Sequence, residues 1–118
     1  MSYDIRFKVK VENVDYYVPV GNCNANITWN VTDIIKKSTG LPWENCANNG
    51  LCKDVIPKIE KGYIELFRYG YKYEKYEPSN GWGSVKSTLE FFHEILEAWE
   101  DLLKWHGELC DVVTFWIE

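Results

Sequence analysis

The chain has only two histidines, His93 and His106, and both fall inside one apolar helical pattern, where a structural role outweighs that of a general base. It has no GxxxxGK[ST] loop, no GxGxxG after a strand and no HExxH, so phosphate-cradling loops and zinc-protease chemistry have no footing. The four cysteines, Cys23, Cys46, Cys52 and Cys110, make no CxxC pair and have no histidine neighbour. That spacing leaves a metal site unsupported and makes buried free thiols in a reducing compartment the expectation. No stretch approaches the roughly 20 apolar residues of a membrane span, and the N-terminus MSYDIRFKVK carries no apolar signal core. Together these shortages imply a cytoplasmic, non-enzymatic protein with no metal, no cofactor and no membrane partner. The glycosylation patterns Asn26-Ile-Thr28 and Asn30-Val-Thr32 are then incidental.

What the chain does have is apolar and aromatic material. Its 118 residues are 46% hydrophobic, 16% aromatic and 26% charged, which fits one α+β domain spanning residues 1–118 and excludes disorder, collagen and coiled coil. The net charge of -5 argues against general nucleic-acid binding. That charge is unevenly spread. From Thr88 to Glu118 there are eight acids against the single base Lys104, a balance of -7, whereas residues 1–87 carry twelve bases against ten acids, or +2.

Tyr3, Ile5, Phe7, Val9 and Val11 alternate with Asp4, Arg6, Lys8 and Lys10, the period of a half-buried strand. Glu12-Asn13 turns the chain into a second strand, Tyr16–Val20, in which Pro19 calls for a sheet edge or a strand end. Val112–Ile117 reads as a third strand that returns to this hairpin. Between them lie three helical patterns. The first is capped by Asn30 or Thr32 and stopped by Gly40, and the second runs from near Asn48 or Asp54 to Gly70. The third is capped near Ser84 and carries Val85, Leu89, Phe92, Leu96, Trp99, Leu103 and His106 beside a second row, Phe91, Ile95, Ala98, Leu102 and Trp105. The expected fold is a small three-stranded antiparallel sheet, made of the N-terminal hairpin and the C-terminal strand, packed against about three helices. The double apolar row on the third helix calls for a homodimer or larger assembly.

Three segments are rich in the residues that line small-molecule sites. Gly21–Asn30 gathers amides around Trp29, Leu41–Asn45 carries Trp43, and Pro78–Gly83 carries Asn80 and Trp82. Indole rings can stack a base while asparagines read its polar edge, so Asn26, Trp29, Asn30, Trp43, Asn80 and Trp82 are candidate ligand contacts, and Arg6, Lys8 and Lys10, on one face of the first strand, are candidate phosphate contacts. Structural roles compete at each position, since tryptophans can close a small core and asparagines make turns. The acidic block supports a different idea, in which Glu94, Glu97 and Asp101 meet a basic partner surface.

The segments SYDIRFKVKVE, GNCNANITWNV, TGLPWEN, NNGLCKDVIPKIEKG, KYEKYEPSNGWGSV and VVTFWIE together resemble a family of small proteins carried by phages and prophages of Gram-positive gut bacteria. The likeness spans almost the whole chain and brings no catalytic or binding residues with it. What it implies is a setting, the cytoplasm of an infected bacterium, where small phage accessory proteins act against host defence. Two functions are expected from that setting. One is sequestration of a nucleotide-derived immune signal, such as a cyclic nucleotide or a cyclic ADP-ribose-like molecule. The other is an anti-CRISPR type of inhibition, in which the acidic C-terminal helix binds a host defence effector.

Overall fold

A computed structural model describes all of residues 1–118. In chain order the elements are β1 (Ser2–Lys10), β2 (Tyr17–Pro19), β3 (Asn26–Thr28), α1 (Thr32–Thr39), β4 (Ala47–Leu51), α2 (Cys52–Tyr69), α3 (Val85–His106) and β5 (Thr114–Ile117). The mixed α/β architecture and the antiparallel pairing agree with the sequence reading. The sheet is larger than expected, with five strands in place of three, in the order β2-β1-β5-β4 and with β3 also paired to β1.

The two additional strands have a common cause. β3, NIT, is too short to show a period and β4, ANNGL, is poor in strand-forming residues, and each is held extended by backbone pairing to a neighbouring strand, β3 to β1 and β4 to β5. Ser2, Tyr3 and Asp4 of β1 pair with Thr28, Ile27 and Asn26, while Lys8, Val9 and Lys10 pair with Pro19, Val18 and Tyr17. β2 and β3 therefore share one edge of β1, and residues 20–25 bow out between them. β5 occupies the other edge, with Ile5 opposite Ile117 and Phe7 opposite Phe115.

The alternation in β1 sets the layers. Tyr3, Ile5 and Phe7 point inward with Phe115 and Ile117 to meet Phe91, Phe92, Ile95, Trp99 and Leu102 of α3. Asp4, Arg6, Lys8 and Trp116 lie on the outer face. Each helix starts and stops where its chemistry requires. Ser84 and Ser87 form a reciprocal capping box at α3, and α1 ends at Gly40, whose N–H returns to the Lys36 carbonyl. α2 begins at Cys52, earlier than Pro57 led us to place it; the proline removes the one N–H that would have reached the Lys53 carbonyl.

The expectation for α3 needs correcting at its last turn. Its two apolar rows merge into one buried stripe from Val85 to Leu102, with Leu89, Leu96 and Leu103 half-buried beside it. Trp105 and both histidines are outside that stripe and exposed. His93 pairs with Glu97 at 3.0 Å and His106 with Glu108 at 3.7 Å. No helix is long and apolar enough to cross a membrane.

Candidate functional site

The nine residues singled out in the sequence fall into three places. Trp43 is in the core. It is 4% exposed and packs at 5.7 to 6.0 Å on Tyr3, Phe91 and Phe115, so it is not a surface stacking platform. Its Nε1–H has no hydrogen-bond partner and its backbone is left-handed, with φ 53°.

Trp29 and Trp82 do reach the surface, at 38% and 69% exposure. Their loops adjoin, because Gly83 lies so close to Thr28 and Val31 that a Cβ there would come within 2.9 and 2.5 Å of them. The Trp29 Nε1–H donates to the Ser2 carbonyl at 2.9 Å, and the ring rests against Tyr3. The asparagines around them serve the fold: Asn26 donates to Asp4 and Ser2, Asn30 to Thr28, and Asn80 accepts from the Trp82 N–H in a tight turn.

The basic row is largely engaged within the molecule. Arg6 donates to the Ile5 and Cys23 carbonyls at 2.9 and 3.4 Å. Lys8 pairs with Glu118 and sits 4.6 Å from the centre of the Trp116 ring, which packs against Tyr17. Trp116 in turn donates to Thr114, whose hydroxyl donates to the Lys8 carbonyl. Lys10 alone is exposed without an ion pair. Along β1, Lys8 lies six residues beyond the Ser2 end that holds Trp29, about 20 Å at about 3.3 Å per residue. The stacking groups envisaged for one ligand thus lie at one end of the strand, with Arg6 at its middle and Lys8 and Lys10 toward the other end.

Four surface recesses exist, and none of them includes any of those nine residues. Two run end to end along one side of α3. The first, about 230 Å³, is lined by Asn22, Asn24, Glu94, Glu97, Ala98 and Asp101. The second, about 260 Å³, continues it past Asn22 and Asp101 to Leu102, Trp105 and His106. They form one trough between α3 and the loop that bows out between β2 and β3. Gly21 makes the approach possible: with φ +74° it turns the chain, and a Cβ would come 2.9 Å from Leu102.

The electrostatics of this trough follow from helix spacing. Glu90, Glu94, Glu97 and Asp101 are separated by four, three and four residues, so they share one stripe of α3. All eight acids between Thr88 and Glu118 are exposed. Glu97, Glu108, Asp111 and Glu118 have a cationic or histidine neighbour, whereas Glu90, Glu94, Glu100 and Asp101 have none. Asn22 and Asn24 bond to each other at 3.2 Å on the facing wall. At the open end Trp105 is 72% exposed, with the Lys104 ammonium 5.6 Å from its ring centre.

Asn22 and Asn24 belong to the loop noted in the sequence, but Trp105 was assigned to the apolar row. A signal for its exposure was there, since the buried spacing closes at Leu102 and the next turn contains Lys104 and His106. The cysteines are unlinked: Cys23 and Cys52 are buried, Cys110 is half-buried and Cys46 is exposed. Burial pushes the Cys23 thiol from its ordinary value of 9.0 up to about 11 and raises Cys52 as well, so neither is a nucleophile at neutral pH. No three His, Cys, Asp or Glu side chains come together in a way that could hold a metal ion. Set against protein-family models, characterised proteins and solved structures, the chain shows no significant match to any of them.

Proposed function

We propose that the protein is a non-enzymatic binding module that engages a basic surface of a partner protein through the acidic stripe of α3 and the trough beside it. The carrying observation is that Glu94 and Asp101, both exposed and without ion pairs, flank a trough walled by Asn22 and Asn24 and ended by Trp105. Carboxylates, amide oxygens and an exposed indole are what a lysine- or arginine-bearing segment needs.

The spacing refines the partner. Successive carboxylates along the stripe are about 4.5 to 6 Å apart in rise, at about 1.5 Å per residue. The stripe matches cations repeated every three or four residues along a partner helix. In the phage setting implied by the sequence resemblance, the partner is a host defence effector whose basic surface is covered, the anti-CRISPR type of action.

A labelled helical peptide with lysines at such spacing serves as the probe in fluorescence anisotropy. Binding should weaken with salt. Glu94→Lys with Asp101→Lys should weaken it roughly 3- to 100-fold, because each exposed pair contributes about 0.2 to 1 kcal/mol and reversal adds repulsion to that loss. Asp33→Lys, on α1 and away from the trough, should have little effect. No binding at low salt, or equal loss with the α1 variant, would refute the proposal. One observation keeps nucleotide sequestration as a second reading, the exposure of Trp29 and Trp82 on adjoining loops. Calorimetry with cyclic dinucleotides and cyclic ADP-ribose isomers decides it: heat that is lost in Trp82→Ala would favour that reading.

A further inference from the structure

The chain contains two Asn-Gly dipeptides, Asn49-Gly50 and Asn80-Gly81. An asparagine followed by glycine is open to attack on its side-chain carbonyl by the next backbone nitrogen, because glycine has no Cβ to block the approach and turns freely. The fold treats the two pairs in opposite ways.

Asn49 is locked in β4. Its Nδ2–H groups donate to the Glu44 and Ala47 carbonyls at 2.8 and 3.0 Å, and its Oδ1 accepts from the Glu44 N–H at 2.8 Å. The amide is thus held back toward residues 44–47, away from Gly50. The Gly50 N–H is itself committed to Asn48 Oδ1 at 2.9 Å, and the next residue, Leu51, pairs with Thr114 of β5. Asn80 is arranged the other way. It and Gly81 are exposed in the turn before α3, and its side chain makes a single hydrogen bond, Oδ1 accepting from the Trp82 N–H at 2.9 Å. That contact curls the amide over its C-terminal neighbour, as in an Asx turn, and draws electron density from Cγ. The Gly81 N–H makes only a long contact, 3.3 Å, with the Pro78 carbonyl, and a Cβ at Gly81 would meet nothing within 4 Å.

We infer that Asn80-Gly81 is a site of spontaneous deamidation and that the fold protects Asn49-Gly50 from the same reaction. The Gly81 nitrogen attacks Asn80 Cγ. The N–Cγ bond forms, the Cγ–Nδ2 bond breaks, and ammonia leaves with the proton that the Gly81 nitrogen gives up. Water then opens the cyclic imide. Addition at Cγ gives aspartate, and addition at the backbone carbonyl gives isoaspartate, in which the main chain runs through Cβ and Cγ. Either product places a carboxylate two residues before Trp82, and the isoaspartyl form also lengthens the chain by one methylene. Gly83 cannot absorb that length, because it is packed so closely on Thr28 and Val31 that a Cβ there would come within 2.9 and 2.5 Å of them. The change therefore falls on Trp82, one of the two indoles exposed on adjoining loops, and leaves the trough beside Glu94 and Asp101 as it was.

Peptide mapping by mass spectrometry tests the inference on protein aged at mildly alkaline pH, one sample folded and one in urea. In urea both asparagines should react at similar rates, which sets the time scale for the folded sample. In the folded protein Asn80 should keep most of that rate. Asn49 should react roughly ten- to thousandfold more slowly, because three hydrogen bonds of its side chain have to open first. Isoaspartate-specific methylation should label the Asn80 peptide, and Gly81→Ala should slow its formation while leaving Asn49 unchanged. A folded protein in which Asn80 stays intact while the unfolded chain reacts, or in which Asn49 reacts as fast as Asn80, would overturn the inference.

Discussion

Replacing Trp43 by phenylalanine asks whether its buried indole N–H is a burden on the fold. Trp43 is held by three aromatic neighbours, Tyr3, Phe91 and Phe115, and its Nε1–H has no acceptor. An unpaired buried donor costs about 1 to 3 kcal/mol. Phenylalanine removes that donor and leaves a void of roughly 40 Å³, which costs about 1 kcal/mol at about 24 cal/mol per Å³. The two effects oppose each other, so Trp43→Phe should be between neutral and about 2 kcal/mol more stable than wild type. Trp43→Ala keeps the gain but forfeits most of the aromatic contact, and should lose about 3 to 5 kcal/mol. Urea unfolding followed by circular dichroism reads both values on one scale. A phenylalanine variant less stable by 2 kcal/mol or more would mean that the N–H is satisfied in solution. An alanine variant as stable as wild type would mean that Trp43 is not a core residue.

Two other outcomes follow from packing and burial. Gly62→Ala should lower stability by about 1 to 2 kcal/mol despite the better helix propensity of alanine, because the new methyl would stand 2.6 Å from Thr39 and 3.1 Å from Phe92; a raised melting temperature would refute this. Because Cys23 holds its proton more tightly folded than unfolded, its contribution is complete below about pH 9 and disappears as pH rises through about 11, a loss of roughly 3 kcal/mol. Under reducing conditions Cys23→Ala should therefore lose less stability than wild type between pH 8 and 11, and parallel loss in both proteins would contradict the assignment.

The legible parts of the fold are those in which side-chain period and burial coincide. β1 declared itself because Tyr3, Ile5 and Phe7 face one core while Asp4, Arg6 and Lys8 face water, and α3 because its stripe runs for about five turns behind a serine cap. β3 and β4 were not legible, since their extension is imposed by backbone pairing and Asn48-Asn49-Gly50 reads locally as a turn. The site was legible only in part. Exposed tryptophans and buried ones share the same turn-rich neighbourhoods, so Trp82 and Trp43 looked alike until packing separated them. Charge also misled at Lys8, because neither Glu118 nor Trp116 is near it in sequence, yet both meet it across β1 and β5.

The division of charge along the chain acquires a spatial meaning once the helices are paired. An acidic block at the end of a sequence resembles a tail, but here it forms much of one helix wall, with the lysines and arginine of α2 beside it. On the α2 side, Tyr63, Phe67 and Leu89 lie beside Lys86, Glu90 and Glu94, so the acids there have a base of their own helix nearby. On the far side Glu94 and Asp101 meet uncharged asparagines and have no internal cationic partner, so a foreign cation can pair with them. The acidic stripe of α3 is thus bordered differently on each flank, and the flank without a base is the one open to a partner. The sheet's outer face, with Lys8 committed to Glu118 and Trp116, adds little free charge to that contact.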